Sequence, residues 1–159
     1  MFRSGRLLFP LLLMACRTSA PVHRGVHYPP YPDGVESSGG GYLIEDTAGG
    51  TNYGIEWVQV PAGTQLWFGR LIARDPAGHP VWELVDTLSP PAHDSTRSLI
   101  GGQCTELGVS DQEILALVAA EDAESLHTVF SAWRADRRRG RFIVLQPLGI
   151  ACVNEGYGG

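Results

Sequence analysis

The distribution of apolar and polar residues after residue 42 predicts short β strands separated by turns. Three segments rich in β-branched and aromatic residues occupy residues 55–60, 65–74 and 80–86. The sequences Pro61-Ala62-Gly63 and Asp75-Pro76-Ala77-Gly78 end the first two segments. Because the connections are three to six residues long, we expect the strands to run antiparallel in a meander.

One segment has the pattern of an α helix. The sequence Ser110-Asp111-Gln112-Glu113 resembles a capping box, in which the serine and the glutamate satisfy each other's backbone amides. Apolar residues follow within residues 114–118 at helical spacing, and the acidic residues suit the positive end of a helix dipole. This pattern predicts a helix over about 111–121.

The last third of the domain predicts a β hairpin. Residues 126–135 and 141–146 are rich in strand-forming residues, and the polar residues 136–140 join them. Together these patterns predict an α+β fold, with an antiparallel sheet of about five or six strands and one main helix on one face.

The first residues have the features of an export signal. Arg3 and Arg6 precede an apolar run over residues 7–15, which spans roughly 14 Å as a helix and is too short to cross a bilayer. The sequence Leu13-Met14-Ala15-Cys16 resembles the lipobox of bacterial lipoproteins, although Met14 replaces the usual small residue. The resemblance implies cleavage before Cys16 and lipidation of its thiol. Ordinary secretion with cleavage after Ala20, and an unmodified structural Cys16, are the alternatives.

The resemblance also implies a location in the cell envelope. Lipoprotein sorting places a chain with Arg17 after the lipidated cysteine at the periplasmic face of the outer membrane. Several acyl chains hold a protein durably at a membrane, whereas one chain binds only marginally. The partner expected for this end of the chain is therefore the membrane, reached through the lipid on Cys16.

The predicted signal peptide, residues 1–15, is followed by a predicted tether. Residues 16–41 contain the lipidated Cys16 and then four prolines, three consecutive glycines and few aliphatic residues. Such a composition predicts a flexible segment that cannot bury enough apolar surface to offset the entropy of ordering. The remaining residues, 42–159, are predicted to form a single globular domain.

Two cysteines remain in that domain. Cys104 and Cys152 are predicted to form a disulfide, because an exported domain with two thiols usually oxidises them. A bond that closes a loop of about 49 residues stabilises a domain by roughly 4 kcal/mol on the chain-entropy model. A redox function is not expected without a Cys-x-x-Cys pair.

Charge and composition exclude several classes of function. All 12 basic residues are arginine, which excludes every chemistry that needs lysine. Against 17 acidic residues they give a net charge of −5. Loss of the signal peptide would leave ten arginines and a charge of −7. A chain this acidic is not expected to bind nucleic acid.

The charged residues are unevenly distributed, which suggests a binding surface. Six acidic residues fall within residues 106–124 without an arginine among them. The arginines that follow form a candidate surface for carboxylates or phosphates, on an acidic protein or on anionic lipids: Arg134, Arg137, Arg138, Arg139 and Arg141. Solubility and pairing within the domain are the alternative explanation.

No catalytic or metal-binding motif was found. His79 and His93 lie in loops, and a hydrolytic centre made of His93, Asp94 and a neighbouring serine is less favoured than ordinary loop residues. The acid pairs Glu45-Asp46 and Glu121-Asp122 are better explained as solvated surface. We therefore expect no catalysis, no cofactor and no metal.

The carboxyl end resembles the tail of small exported proteobacterial proteins that have no assigned activity. The similarity covers Ala132-Trp133-Arg134, Gly140-Arg141-Phe142 and residues 149–158. Some small periplasmic lipoproteins of this general kind are immunity proteins, which suggests an inhibitor of a periplasm-acting toxin. The expected function is thus a non-catalytic binding module with a periplasmic protein partner. The alternatives are a structural or accessory envelope lipoprotein and a cell-wall hydrolase.

Overall fold

The computed structural model describes residues 24–45 and 52–158, and every regular element in them is a β strand. Thirteen strands form three antiparallel sheets. Among these residues no helix is long and apolar enough to cross a membrane. The predicted signal peptide, residues 1–15, and the predicted lipid attachment site Cys16 lie outside the described residues.

The amino-terminal half of the domain forms a five-stranded sheet, called sheet 1. Its strands are β1 (His27–Tyr28), β2 (Glu36–Ile44), β3 (Tyr53–Val60), β4 (Gly63–Arg74) and β5 (Pro80–Leu88). They lie in the order β1-β5-β4-β3-β2. β3, β4 and β5 pair consecutively and antiparallel, so the predicted meander is confirmed.

The remaining eight strands form two further sheets, and the chain passes repeatedly between them. Sheet 2 has the order β12-β11-β9-β6 and consists of β6 (Arg97–Gly101), β9 (Ile114–Ala119), β11 (Val129–Asp136) and β12 (Arg141–Leu145). Sheet 3 has the order β10-β13-β7-β8 and consists of β7 (Cys104–Glu106), β8 (Val109–Asp111), β10 (Ser125–Leu126) and β13 (Ile150–Val153). The predicted carboxyl-terminal hairpin is confirmed by the pairing of β11 with β12.

Sheet 2 lies between the other two sheets. On one of its faces, Leu115 packs with Ile55 and Phe68 of sheet 1. On the other face, Ile114 packs with Ile150 and the cysteines of sheet 3. Because side chains alternate along a strand, the central strand of a middle sheet must be apolar at every position. Residues 114–118 of β9 meet this requirement, since all five are buried.

The predicted α+β fold is therefore wrong, and so is the helix over about 111–121. A continuous apolar run fits a buried helix and a strand with both faces covered equally well. Of the residues that resemble a capping box, Ser110 and Asp111 end β8, and Gln112 and Glu113 form the turn by which the chain leaves sheet 3 for sheet 2. In this turn Asp111 Oδ1 accepts a hydrogen bond from the amide of Glu113 at 2.8 Å. The prediction of one sheet of five or six strands is also wrong, since three sheets are present.

The predicted flexible tether does not extend to residue 41. β1 pairs with β5, and the glycine-rich stretch belongs to β2, which pairs with β3. Tyr28 is 1% exposed and packs with Val35, Val58 and Leu84 on the outer face of sheet 1. The prediction rested on the scarcity of aliphatic residues, whereas Tyr28 of this segment is itself a buried part of the core.

The predicted disulfide is present. Cys104 of β7 and Cys152 of β13 are bonded, and both side chains are buried in the layer between sheets 2 and 3. Leu126 and Ala132 pack in the same cluster. The bond therefore joins two neighbouring strands of sheet 3 inside the core.

Candidate functional site

A cleft on the outer face of sheet 1 begins with two glycines. Gly54 of β3 and Gly69 of β4 are cross-strand partners, and neither places a side chain on this face. The Trp82 indole fills the space above Gly54, where a Cβ would lie 3.2 Å from the ring. The Tyr28 hydroxyl fills the space above Gly69 so closely that an added Cβ would overlap it. The two glycines thus make a trough in which aromatic rings lie against the backbone.

Aromatic side chains form the walls of this cleft, which has a volume of about 520 Å³. Tyr28 meets Trp67 nearly edge to face, with ring centroids 4.9 Å apart. Tyr31 lies 5.7 Å from Tyr28, also between ring centroids. The fully buried Trp67 supports both rings from below. Trp82 and residues of β2 complete the lining.

A single carboxylate lies in the cleft. Glu56 Oε1 accepts hydrogen bonds from the Tyr31 hydroxyl at 2.5 Å and from the Ser37 hydroxyl at 2.7 Å. Both bonds use the same oxygen. The other oxygen, Oε2, has no hydrogen-bond partner among residues 24–45 and 52–158. The cleft therefore contains an oriented carboxylate oxygen that can accept a bond from a ligand.

The surroundings keep the tyrosines neutral. Burial raises the pKa of Tyr31 to about 12, and its hydrogen bond to the Glu56 carboxylate acts in the same direction. Burial raises the pKa of Tyr28 further, and the negative charge of Glu56 adds to this effect. The Tyr31 hydroxyl consequently remains a hydrogen-bond donor to Glu56 at all physiological pH values.

The cleft is suited to a positively charged group. Aromatic faces are electronegative, and a carboxylate among them adds a full negative charge. No arginine lines the cleft, and the ionisable side chains besides the tyrosines are Glu56 and His79. His79 lies at the rim, where its Nδ1 is 3.0 Å from Asp75 Oδ2. An ammonium or guanidinium group would meet no fixed positive charge in the walls.

The predicted arginine surface is divided by the structure. Arg134 lies on β11 and contacts Glu106 at 2.7 Å and Asp111 at 2.9 Å. Burial lowers the pKa of Arg134, but the hydrogen bonds to the two carboxylates outweigh burial, so the pKa is raised overall. Arg141, at the start of β12, is exposed. The structure thus does not bring all five predicted arginines together.

The remaining predicted arginines lie in the turn between β11 and β12. Arg137 contacts Glu113 at 2.5 Å, and Arg139 contacts Asp136 at 2.8 Å. Arg138 is exposed. Pairing within the domain, the alternative considered for the uneven charges, thus accounts for three of the six acidic residues, Glu106, Asp111 and Glu113, and for Arg134, Arg137 and Arg139.

The weaker catalytic candidates are not assembled into a site. His93 Nδ1 lies 3.1 Å from the Pro91 carbonyl, and Asp94 accepts hydrogen bonds from Thr96 instead of contacting His93. In the part of the chain that the structure describes, no three His, Cys, Asp or Glu side chains are grouped so that they could hold a metal ion.

The sequence patterns did not predict that the residues of the cleft form a site. Tyr28 and Tyr31 belonged to the predicted tether, and Glu56 and Trp82 are separated from them by tens of residues. The useful signal was the sequence Tyr28-Pro-Pro-Tyr31-Pro, which places two aromatic rings on a stiff backbone. The chain was compared with protein-family models, curated proteins and solved structures, and none of them matches it.

Proposed function

We propose that this chain is a non-catalytic binding module, and that the cleft of sheet 1 binds a cationic group of its ligand. The observation that carries the proposal is that Glu56 lines the cleft, where its Oε1 accepts bonds from two hydroxyls and its Oε2 has no hydrogen-bond partner among the described residues. A protein partner with an exposed lysine or arginine side chain supplies such a group. The proposal keeps the lipid anchor on Cys16 and a place at the periplasmic face of the outer membrane.

The chemistry of the cleft favours binding over catalysis. Hydrolysis by paired carboxylates requires a second carboxylate near the first, and Glu56 is the single carboxylate in the lining. A cation over an aromatic ring gains on the order of 0.5–2 kcal/mol, and a charge-assisted hydrogen bond adds about 1.5–3 kcal/mol. Together these effects are sufficient for a side chain of a larger partner to anchor in the cleft.

The experiment is an NMR titration of the full chain with Nα-acetyl-lysinamide. Nα-acetyl-norleucinamide, which has the same chain without the ammonium group, is the matched neutral ligand. We expect the lysine compound to shift the amides of Gly41 and Gly54 and the indole of Trp82. The norleucine compound should bind at least about tenfold more weakly, because it gains neither charge-based contribution.

Two variants separate a specific site from general attraction to an acidic protein. Glu56→Gln keeps an acceptor for Tyr31 and Ser37 but removes the charge, and we expect it to weaken binding of the lysine compound about tenfold. Glu124→Gln removes a charge from an exposed site outside the cleft and should leave binding unchanged. Equal binding of the two compounds, or equal loss in the two variants, would refute cation recognition at the cleft.

A further inference from the structure

We infer that a second, separate cavity binds a phosphate group through arginines from three parts of the chain. The cavity has a volume of about 390 Å³ and lies where the β11–β12 turn meets sheet 1. The arginines in its lining are Arg24, Arg70, Arg137, Arg138 and Arg139. They come from the segment before β1, from β4 and from the β11–β12 turn.

The position of the turn brings these arginines together. The Phe142 amide donates to Asp86 Oδ2 at 2.8 Å, which joins β12 to β5 across the sheets. Asp86 Oδ1 accepts a bond from Arg24 Nη2, also at 2.8 Å. Gly140 lies against Val85, where an added Cβ would come within 3.3 Å of the valine. Arg24 and the turn are therefore held by the same strand.

The lining is more positive than the domain as a whole. Glu83 is the single carboxylate in it, and it pairs with Arg70. In the part of the chain that the structure describes, three further carboxylates form ion pairs with these arginines from outside the lining: Asp86, Glu113 and Asp136. Arg137 aside, four guanidinium groups of the lining meet three carboxylates, those of Glu83, Asp86 and Asp136, which leaves a net positive charge in a protein whose overall charge is −5.

The guanidinium groups keep hydrogen-bond donors for a ligand. Arg70 uses Nε and Nη2 on Glu83, so its Nη1 is without a partner among the described residues. Arg139 bonds Asp136 through Nη1, which leaves Nε and Nη2. Arg138 forms no ion pair with any residue that the structure describes. The Tyr53 side chain completes the wall.

A phosphate group is the ligand chemistry that fits this arrangement best. Its tetrahedral oxygens accept bonds from several directions, and arginine forks bind them in pairs. Guanidinium groups from three segments surround the cavity and can approach one phosphate from different sides. The phosphate could be free or part of a lipid headgroup, and the experiment distinguishes these sources.

The test uses the full chain carrying Cys16→Ser, so that no acyl chain contributes to binding. Sodium phosphate and sodium chloride are compared at matched ionic strength by NMR, following the arginine Nε resonances. In parallel, sedimentation measures binding to vesicles of phosphatidylglycerol with phosphatidylcholine and to vesicles of phosphatidylcholine alone. Arg138→Ala is the main variant because Arg138 has no ion pair to lose. Arg74→Ala, an arginine on the same strand as Arg70 but outside the lining, is the matched control.

We expect Arg138→Ala to weaken the phosphate interaction about tenfold, since one charge-assisted bond is lost, and Arg74→Ala to change it less than about twofold. Binding of free phosphate that depends on Arg138 identifies a soluble ligand. Arg138-dependent binding to the phosphatidylglycerol vesicles alone identifies a headgroup. Absence of both, or equal losses in the two variants, overturns the inference.

Discussion

Cys104 and Cys152 are direct cross-strand partners in adjacent antiparallel strands, with their Cα atoms 4.0 Å apart. They are separated by 48 positions in the chain. The bond therefore joins β7 covalently to β13, although the two strands lie far apart in the sequence. Because both cysteines are at most 1% exposed, a reductant reaches the bond only when this part of the fold opens.

The disulfide between Cys104 and Cys152 is expected to stabilise the domain. Replacing both cysteines by alanine should lower the free energy of unfolding by roughly 4 kcal/mol, because the unfolded chain gains the entropy of an open loop. Urea denaturation of the oxidised protein and the variant measures the difference. Unfolding midpoints that are the same for both would contradict a stabilising role for the bond.

Variants at the end of β8 distinguish the observed strand and turn from the predicted helix. Asp111→Ala removes the bond to the Glu113 amide and the contact with Arg134, and should cost about 2 kcal/mol of stability. Ser110→Ala should change stability by less than about 0.5 kcal/mol, because Ser110 is exposed. In a helix with a capping box, the serine variant would instead cost about 1 kcal/mol. Thermal denaturation of both variants decides between these outcomes.

The glycine trough gives a matched pair of variants. Gly69→Ala places a methyl group where the Tyr28 hydroxyl lies, and should destabilise the domain by about 1–3 kcal/mol because the ring must move. Gly40→Ala adds a methyl to open space at a residue without a left-handed backbone, so stability should be nearly unchanged. Chemical denaturation measures both effects. A Gly69 variant as stable as the Gly40 variant would show that Tyr28 does not occupy the trough.

Stability should fall at high pH because of the buried tyrosines. Burial, the largest cause, and Glu56 raise the pKa values of Tyr28 and Tyr31 above the ordinary value of 10.0, to about 12 for Tyr31. The folded state therefore retains protons that the unfolded state releases. The corresponding stability is complete below pH 10 and is lost as the pH rises from 10 towards 12.

Glu56→Gln tests the cause of this pH dependence. Loss of the carboxylate should lower the pKa of Tyr31, although burial still keeps it above 10.0. Phenolate absorbance during an alkaline titration measures the change, with Glu124→Gln as the control. An unchanged Tyr31 titration in the Glu56 variant would show that the hydrogen bond to Glu56 has no influence on the tyrosine.

The strands could be predicted from the sequence where local sequence patterns agreed with the fold. β3, β4 and β5 alternate strand-forming segments with turns rich in glycine and proline, and each strand pairs with its neighbour in the chain. β9 differs because its environment comes from distant parts of the chain. Both faces of this strand are covered, so its residues do not alternate between apolar and polar. A continuous apolar run of this kind is compatible with a buried helix as well as with a buried strand.

The candidate cleft could not be predicted from the sequence for a related reason. Tyr31 and Glu56 come from segments 25 positions apart, and they meet only because the proline-rich segment lies across sheet 1. Composition correctly indicates that such a segment cannot form a core of its own. It does not show that tyrosines within it can complete the core of a neighbouring sheet. For the arginines the reverse holds. The sequence shows that they are clustered, but it does not show their acidic partners, several of which are distant in the chain.

The position of β1 changes the geometry expected at the membrane. Only residues 17–23 separate the predicted lipid site Cys16 from Arg24, the first described residue. Fully extended, this connection spans at most about 28 Å, whereas a tether reaching residue 41 would span about 80 Å. If Cys16 carries a lipid, a connection of this length keeps Arg24 within about 28 Å of the lipid attachment site. The aromatic cleft would then meet its partner within the layer next to the bilayer.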